Sequence, residues 1–181
     1  MNTKNSFKLL ISNPLNLSSM DKADTTISEA LQTIYPYGKE SSIYMKWNGY
    51  IIELNLTAQV SDIYTDILKM LYLLMDENIE EFDIHWGSNS FMAQWSFKKR
   101  KDNMLNIKAY WTSVIGGHEI LMKLNKVKHI IEIKEKSFII EWISLLEIIR
   151  EDLLKVGYSS ANLEDFDRTN IIIDKYSRKK W

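Results

Sequence analysis

The sequence predicts an α+β protein, with a twisted, mainly antiparallel sheet of about five to seven strands packed against two main helices. Three observations predict it: an uninterrupted alternating ribbon over residues 82–111, a two-residue hairpin turn at Asn48-Gly49, and two apolar stripes at helical spacing, over 62–75 and 138–155.

The ribbon is the plainest. Phe82, Ile84 and Trp86 alternate with Asp83 and His85; Gly87-Ser88-Asn89-Ser90 turns the chain. Phe91, Ala93, Trp95 and Phe97 then alternate with Met92, Gln94, Ser96 and Lys98. After a charged turn through Lys101-Asp102-Asn103, Leu105, Ile107, Ala109 and Trp111 alternate with Asn106, Lys108 and Tyr110. Period two over three runs buries one face and wets the other. At Asn48-Gly49 both central residues can take positive φ, the condition for a tight hairpin. That turn pairs Trp47 with Tyr50, Met45 with Ile52 and Ile43 with Leu54 on one side, and Tyr44 with Glu53 and Lys46 with Ile51 on the other.

The remaining elements follow in order. Phe7 to Ile11 fits a short strand. Residues 25–35 fit a short helix capped by Asp24 or Thr25 and ended by Pro36 and Gly38. Ser61 is the expected cap of the helix 62–75, whose buried stripe is Ile63, Ile67, Met70, Leu71 and Leu74. Past Gly116-Gly117, residues 118–124 and 127–134 read as two strands. Pairing them places Lys123 opposite Lys128 and Glu119 opposite Glu132, like charges that oppose it. Ser137 is the expected cap of the helix 138–155, with Gly157 at its C-terminal stop. Its apolar arc, with Phe138, Trp142, Ile143, Leu146, Ile149 and Leu153, is wide enough to pack on several sides or to leave a homodimer open. Residues 158–181 read as a less regular end with an apolar run at 171–173 and basic Lys175, Arg178, Lys179 and Lys180. Neither a repeat nor a linker divides 1–181, which is read as one domain.

Composition removes several functions. The chain has 181 residues and no cysteine, which excludes disulfides and thiolate chemistry. A net charge of −1 does not favour a polyanion binder. Nineteen lysines against four arginines leave few of the guanidinium forks that grip phosphate. Before Asn13 and Pro14 the only apolar run is Leu9-Leu10-Ile11, short of a secretory core of about 7–15 residues. No run reaches the ~20 apolar residues of a membrane span. The expected location is the cytoplasm, with no membrane partner.

Candidate chemistry is sparse. Asp83 and His85 share the wet face of one strand, where they would suit a metal or an acid–base pair, or be an exposed histidine beside a carboxylate. His118 follows a glycine pair that marks either a site loop or a plain turn. His129 suits a half-buried, hydrogen-bonded position. No serine-nucleophile elbow and no phosphate-binding glycine loop occurs. Lys98-Lys99-Arg100-Lys101 would serve nucleic acid or simply protect a sheet edge, and no aromatic residue is interleaved with it. No cofactor, metal or catalytic residue is expected.

The sharper signal is acidic. Residues 53–83 carry eight carboxylates against the single Lys69. Asp76, Glu77, Glu80, Glu81 and Asp83 crowd the end of one helix and the start of a strand. Asp76 and Glu77 oppose the helix dipole there, and residues that work against local stability point to use of the surface. Asp62 and Asp66 are weaker members of the same set. Tyr44 and Tyr110 have outward parity and would suit an interface.

In its sheet with two helices, its Trp47-Asn48-Gly49-Tyr50 hairpin, its acidic 76–83 stretch and its late Glu141-Trp142-Ile143-Ser144-Leu145-Leu146 helix, the chain resembles a bacterial immunity protein of a polymorphic or contact-dependent growth-inhibition toxin system. That resemblance implies a non-enzymatic inhibitor, with a cognate protein toxin as partner, often a nuclease, whose cationic surface the acidic patch would engage. The alternatives are an enzyme with Asp83, His85 and His118 around a cleft, or a nucleic-acid-associated module using Lys98 to Lys101.

Overall fold

The computed structural model describes residues 6–11, 16–127 and 129–178. Lys128, Lys179 and Lys180 therefore lie outside the described residues.

Among the described residues seven strands form, in two antiparallel sheets rather than one. The first contains β1 (Phe7–Ile11), β2 (Ser42–Trp47) and β3 (Tyr50–Asn55), in that order. Asn48 and Gly49 take φ of 48° and 88°, and the β2–β3 register is the one the turn dictates, Trp47 to Tyr50 through Ile43 to Leu54. The second sheet is the ribbon extended by one strand: β4 (Glu81–Ser88), β5 (Phe91–Lys99), β6 (Met104–Val114) and β7 (Ile130–Lys134). Asn89 and Ser90 alone make the first turn, because Gly87 and Ser88 still pair with Met92 and Phe91.

Two sheets arise because both inner faces carry aromatic rings. Trp47 lies 4.7 Å from Trp95 and 5.2 Å from Trp111, between ring centroids. Phe7 brings β1 onto Phe138 at 4.6 Å, and Trp142 stacks on Trp86 at 5.8 Å. The indole N–H groups of Trp86, Trp95, Trp111 and Trp142 are buried without a hydrogen-bond partner among the described residues. Each orphan costs about 1–3 kcal/mol, against roughly 0.5–1.5 kcal/mol returned by each favourable ring pair. These four tryptophans are thus held by buried area and ring packing.

Among the described residues five α-helices pack with the sheets, where two main helices and a short first one were expected. α1 (Ile27–Ile34) begins two residues later than the expected 25, because Thr26 and Glu29 form a reciprocal capping box. α2 (Ser61–Met75) follows a π-type turn over Leu56–Val60. Ser61 is not its cap: the Ser61 hydroxyl donates to the Thr57 and Ala58 carbonyls, and Asn55 caps the turn through the Thr57 amide. α4 (Glu135–Val156) starts before Ser137, and its first amide donates to Asn103 O. Gly157, at φ 104°, closes it as expected. The wide arc of α4 packs on β1, β7, α1 and α5.

Two further expectations are corrected. Residues 118–124 are not a strand but part of α3 (His118–Val127), and of the anticipated 127–134 strand only β7 (Ile130–Lys134) forms. The like-charge clash is resolved by the helix, which sets Glu119 and Lys123 one turn apart as an ion pair. The end is also more regular than expected: α5 (Phe166–Arg178) buries Phe166, Thr169, Ile172, Ile173 and Tyr176 along one face. Tyr176 donates to Leu71 O, and Tyr64 bonds Thr169, so α5 is pinned to α2.

Candidate functional site

Asp76, Glu77, Glu80, Glu81 and Asp83 sit where α2 turns back into β4, whereas Asp62 and Asp66 lie in the first turns of α2, which packs along that strand. The fold treats them unequally. Asp76 accepts from the Asn78 amide and side chain, closing the turn. Glu81 pairs with Lys98 directly across the β4–β5 ladder, a contact that holds the Lys98 ammonium above its ordinary pKa. Asp66 is half-buried; desolvation raises its pKa, and the nearby Lys69 and His85 pull it back. Asp62, Glu77, Glu80 and Asp83 are exposed, and their carboxylates make no hydrogen bond or ion pair among the described residues.

The basic tip lies next door, across the same ladder. Lys98 is engaged by Glu81. Lys99 reaches under the turn and donates to Leu73 O at 3.0 Å and Asp76 O at 2.7 Å. A cation at these carbonyls neutralises the negative end of the α2 dipole. It therefore offsets the unfavourable placement of Asp76 and Glu77 that the sequence displays. Arg100 bridges Asp102 at 3.0 Å and Glu132 at 3.4 Å. Three of the four cations are thus committed within the protein, which removes most of the charge available to a phosphate backbone.

A groove of about 680 Å³ separates the two groups, between the end of α2, the β5–β6 turn and the β7–α4 junction. Its lining mixes Glu77 and Glu80 with Lys101, Lys134 and Lys136. Sequence reasoning missed Lys99 as a helix cap and Lys134 and Lys136 as neighbours of the acids. Neither has a local signal, since each depends on pairings across 23 residues or more.

The outer face of the four-stranded sheet splits in two. Its lower rows are self-paired, through Glu81–Lys98 and through Glu132, which takes Arg100 and Asn106. Higher up, His85, Gln94 and Tyr110 form one exposed row, Tyr110 being 66% exposed. Asp83 and His85 share this face as expected. His118 opens α3, exposed beyond Gly116-Gly117. Among the described residues no three His, Asp or Glu side chains gather as a metal would need. His129 is half-buried, but its Nδ1 lacks the expected hydrogen bond among the described residues.

The fold and this surface define an α+β protein with, among the described residues, two antiparallel sheets, five helices and an acidic edge in which Glu77, Glu80 and Asp83 make no ion pair. No helix among the described residues is long and apolar enough to cross a membrane. No family model, no curated protein and no solved structure matches the chain.

Proposed function

We propose that the protein is a non-enzymatic inhibitor that binds another protein, in the manner of the immunity proteins it resembles, through the α2–β4 edge. One observation carries this reading: three of the four cations of the adjoining tip are engaged internally, while the exposed Glu77, Glu80 and Asp83 carboxylates make no ion pair among the described residues. Such an edge would steer a cationic partner toward it and be screened by salt. Asp66, Asp76 and Glu81 then act chiefly by shaping the edge. The proposed partner is a cognate toxin with a basic active surface, and the proposed place of action is the cytoplasm.

The test is to express the protein with the toxic domain encoded beside its gene. The reading expects a one-to-one complex and loss of toxicity. It also expects that replacing Glu77, Glu80 and Asp83 by lysine weakens the complex at least tenfold while leaving the thermal midpoint near that of the wild type. Full binding by the triple variant would sink the proposed surface; absence of any complex would sink the proposed partner.

A further inference from the structure

We infer that α3 is a cover over the upper edge of β6, and that it keeps that edge from adding a strand of a second copy of this chain. β6 runs from Met104 to Val114, but β7 pairs with it only as far as Lys108. One further bond, Ala109 N–H to His129 O at 2.7 Å, ends the ladder. At the next outward-facing position no strand follows. Instead the Asn125 carboxamide of α3 stands in for one: its Oδ1 accepts the Trp111 amide at 2.8 Å and its Nδ2 donates to the Trp111 carbonyl at 2.7 Å. A single side chain thus supplies both halves of a backbone pair, as a β-strand residue would.

The sequence of the covered edge gives this arrangement a purpose. Ala109-Tyr110-Trp111-Thr112-Ser113-Val114-Ile115 is seven residues without a charge, a proline or a glycine, rich in β-branched and aromatic side chains. Such windows pair readily with their own copies when an edge is free. No like charge opposes that pairing here, whereas Lys108 guards the lower part of the strand. α3 is mounted as a cover would be: Gly116 and Gly117 lead into it at φ 107° and 84°, a bend other residues rarely make. A Cβ at Gly116 would also meet the Ile120 side chain at 2.5 Å. Leu124 is buried, while His118, Glu119, Met122, Lys123 and Lys126 face solvent.

The experiment uses the full chain and the Asn125→Ala variant, with hydrogen exchange at the Trp111 amide and sedimentation velocity over a range of concentrations. A second variant adds Tyr110→Lys, on the solvent face of the same edge, where paired copies would bring two lysines together. The expected results are a protected amide and a monomer for the wild type. For Asn125→Ala, exchange should be faster by at least about tenfold and the mass should rise with concentration. For the double variant, exchange should stay fast and the concentration dependence should vanish. Unchanged exchange, a monomeric Asn125→Ala protein, or association that survives Tyr110→Lys would each overturn the inference. So would wild-type association that Tyr110→Lys abolishes.

Discussion

The basic turn at 98–101 and the acidic stretch at 76–83 are both runs of like charge, and the fold makes them neighbours. Their fates differ. Lys98, Lys99 and Arg100 each find an internal acceptor, and Lys99 becomes the cap of α2. On the acidic side Asp76 and Glu81 are committed, while Glu77, Glu80 and Asp83 are left facing water. A charge run in a sequence is therefore not yet a charged surface. What reaches a partner is the remainder after helix ends, ladders and turns have taken their share.

The largest effect that tests this contrast falls on Lys99. Replacing it by methionine keeps the aliphatic stem and removes two charge-assisted bonds to carbonyls at the end of α2. The expected loss is about 2 kcal/mol, read from chemical denaturation. A variant as stable as the wild type would mean that Lys99 is only another surface cation, and the two segments would then be alike.

A smaller effect belongs to Asp66. Burial raises its folded-state pKa above the unfolded value, so the native state holds the proton more tightly. Its contribution is fully present below the unfolded pKa and is lost as pH rises through the folded pKa. Asp66→Asn should remove that loss, so its stability should fall less than the wild type's as pH rises through this acidic window. An identical pH profile for the two proteins would show that the carboxyl is fully solvated.

The smallest effect is expected at Lys98 and Glu81. Both are exposed, so the pair is screened. Removing either should leave the thermal midpoint unchanged within error, at low salt and high. A clear drop on breaking this pair would make it structural, like Lys99.

Much of the frame was legible locally. Asn48-Gly49 dictated a complete register because the turn geometry admits few others, and the 82–111 ribbon kept its parity throughout. The core tryptophans fell at inward positions. The division into two sheets was not legible, since period two shows that a face is buried but not what lies on it. α3 was missed although Ile120, Leu121 and Leu124 have helical spacing; the apolar run that follows drew the reading toward strands, and the like-charge warning between Glu119 and Glu132 was the correct counter-signal. α5 was obscured by its polar composition, with only Phe166, Thr169, Ile172, Ile173 and Tyr176 at regular intervals. At the site, the acidic residues were visible as a set, but which of them stay uncommitted depends on Lys98 and Lys99 arriving from another strand.

The most direct measurement is the association rate of the protein with the proposed toxin partner from about 50 to 500 mM salt, compared between two charge-reversed variants. One carries Glu77, Glu80 and Asp83 as lysine; the other carries Lys101→Glu, the tip cation with no ion pair among the described residues. The account predicts that the first variant loses both rate and salt dependence, while the second keeps both. Equal losses in the two variants, or a wild-type rate that ignores salt, would contradict it.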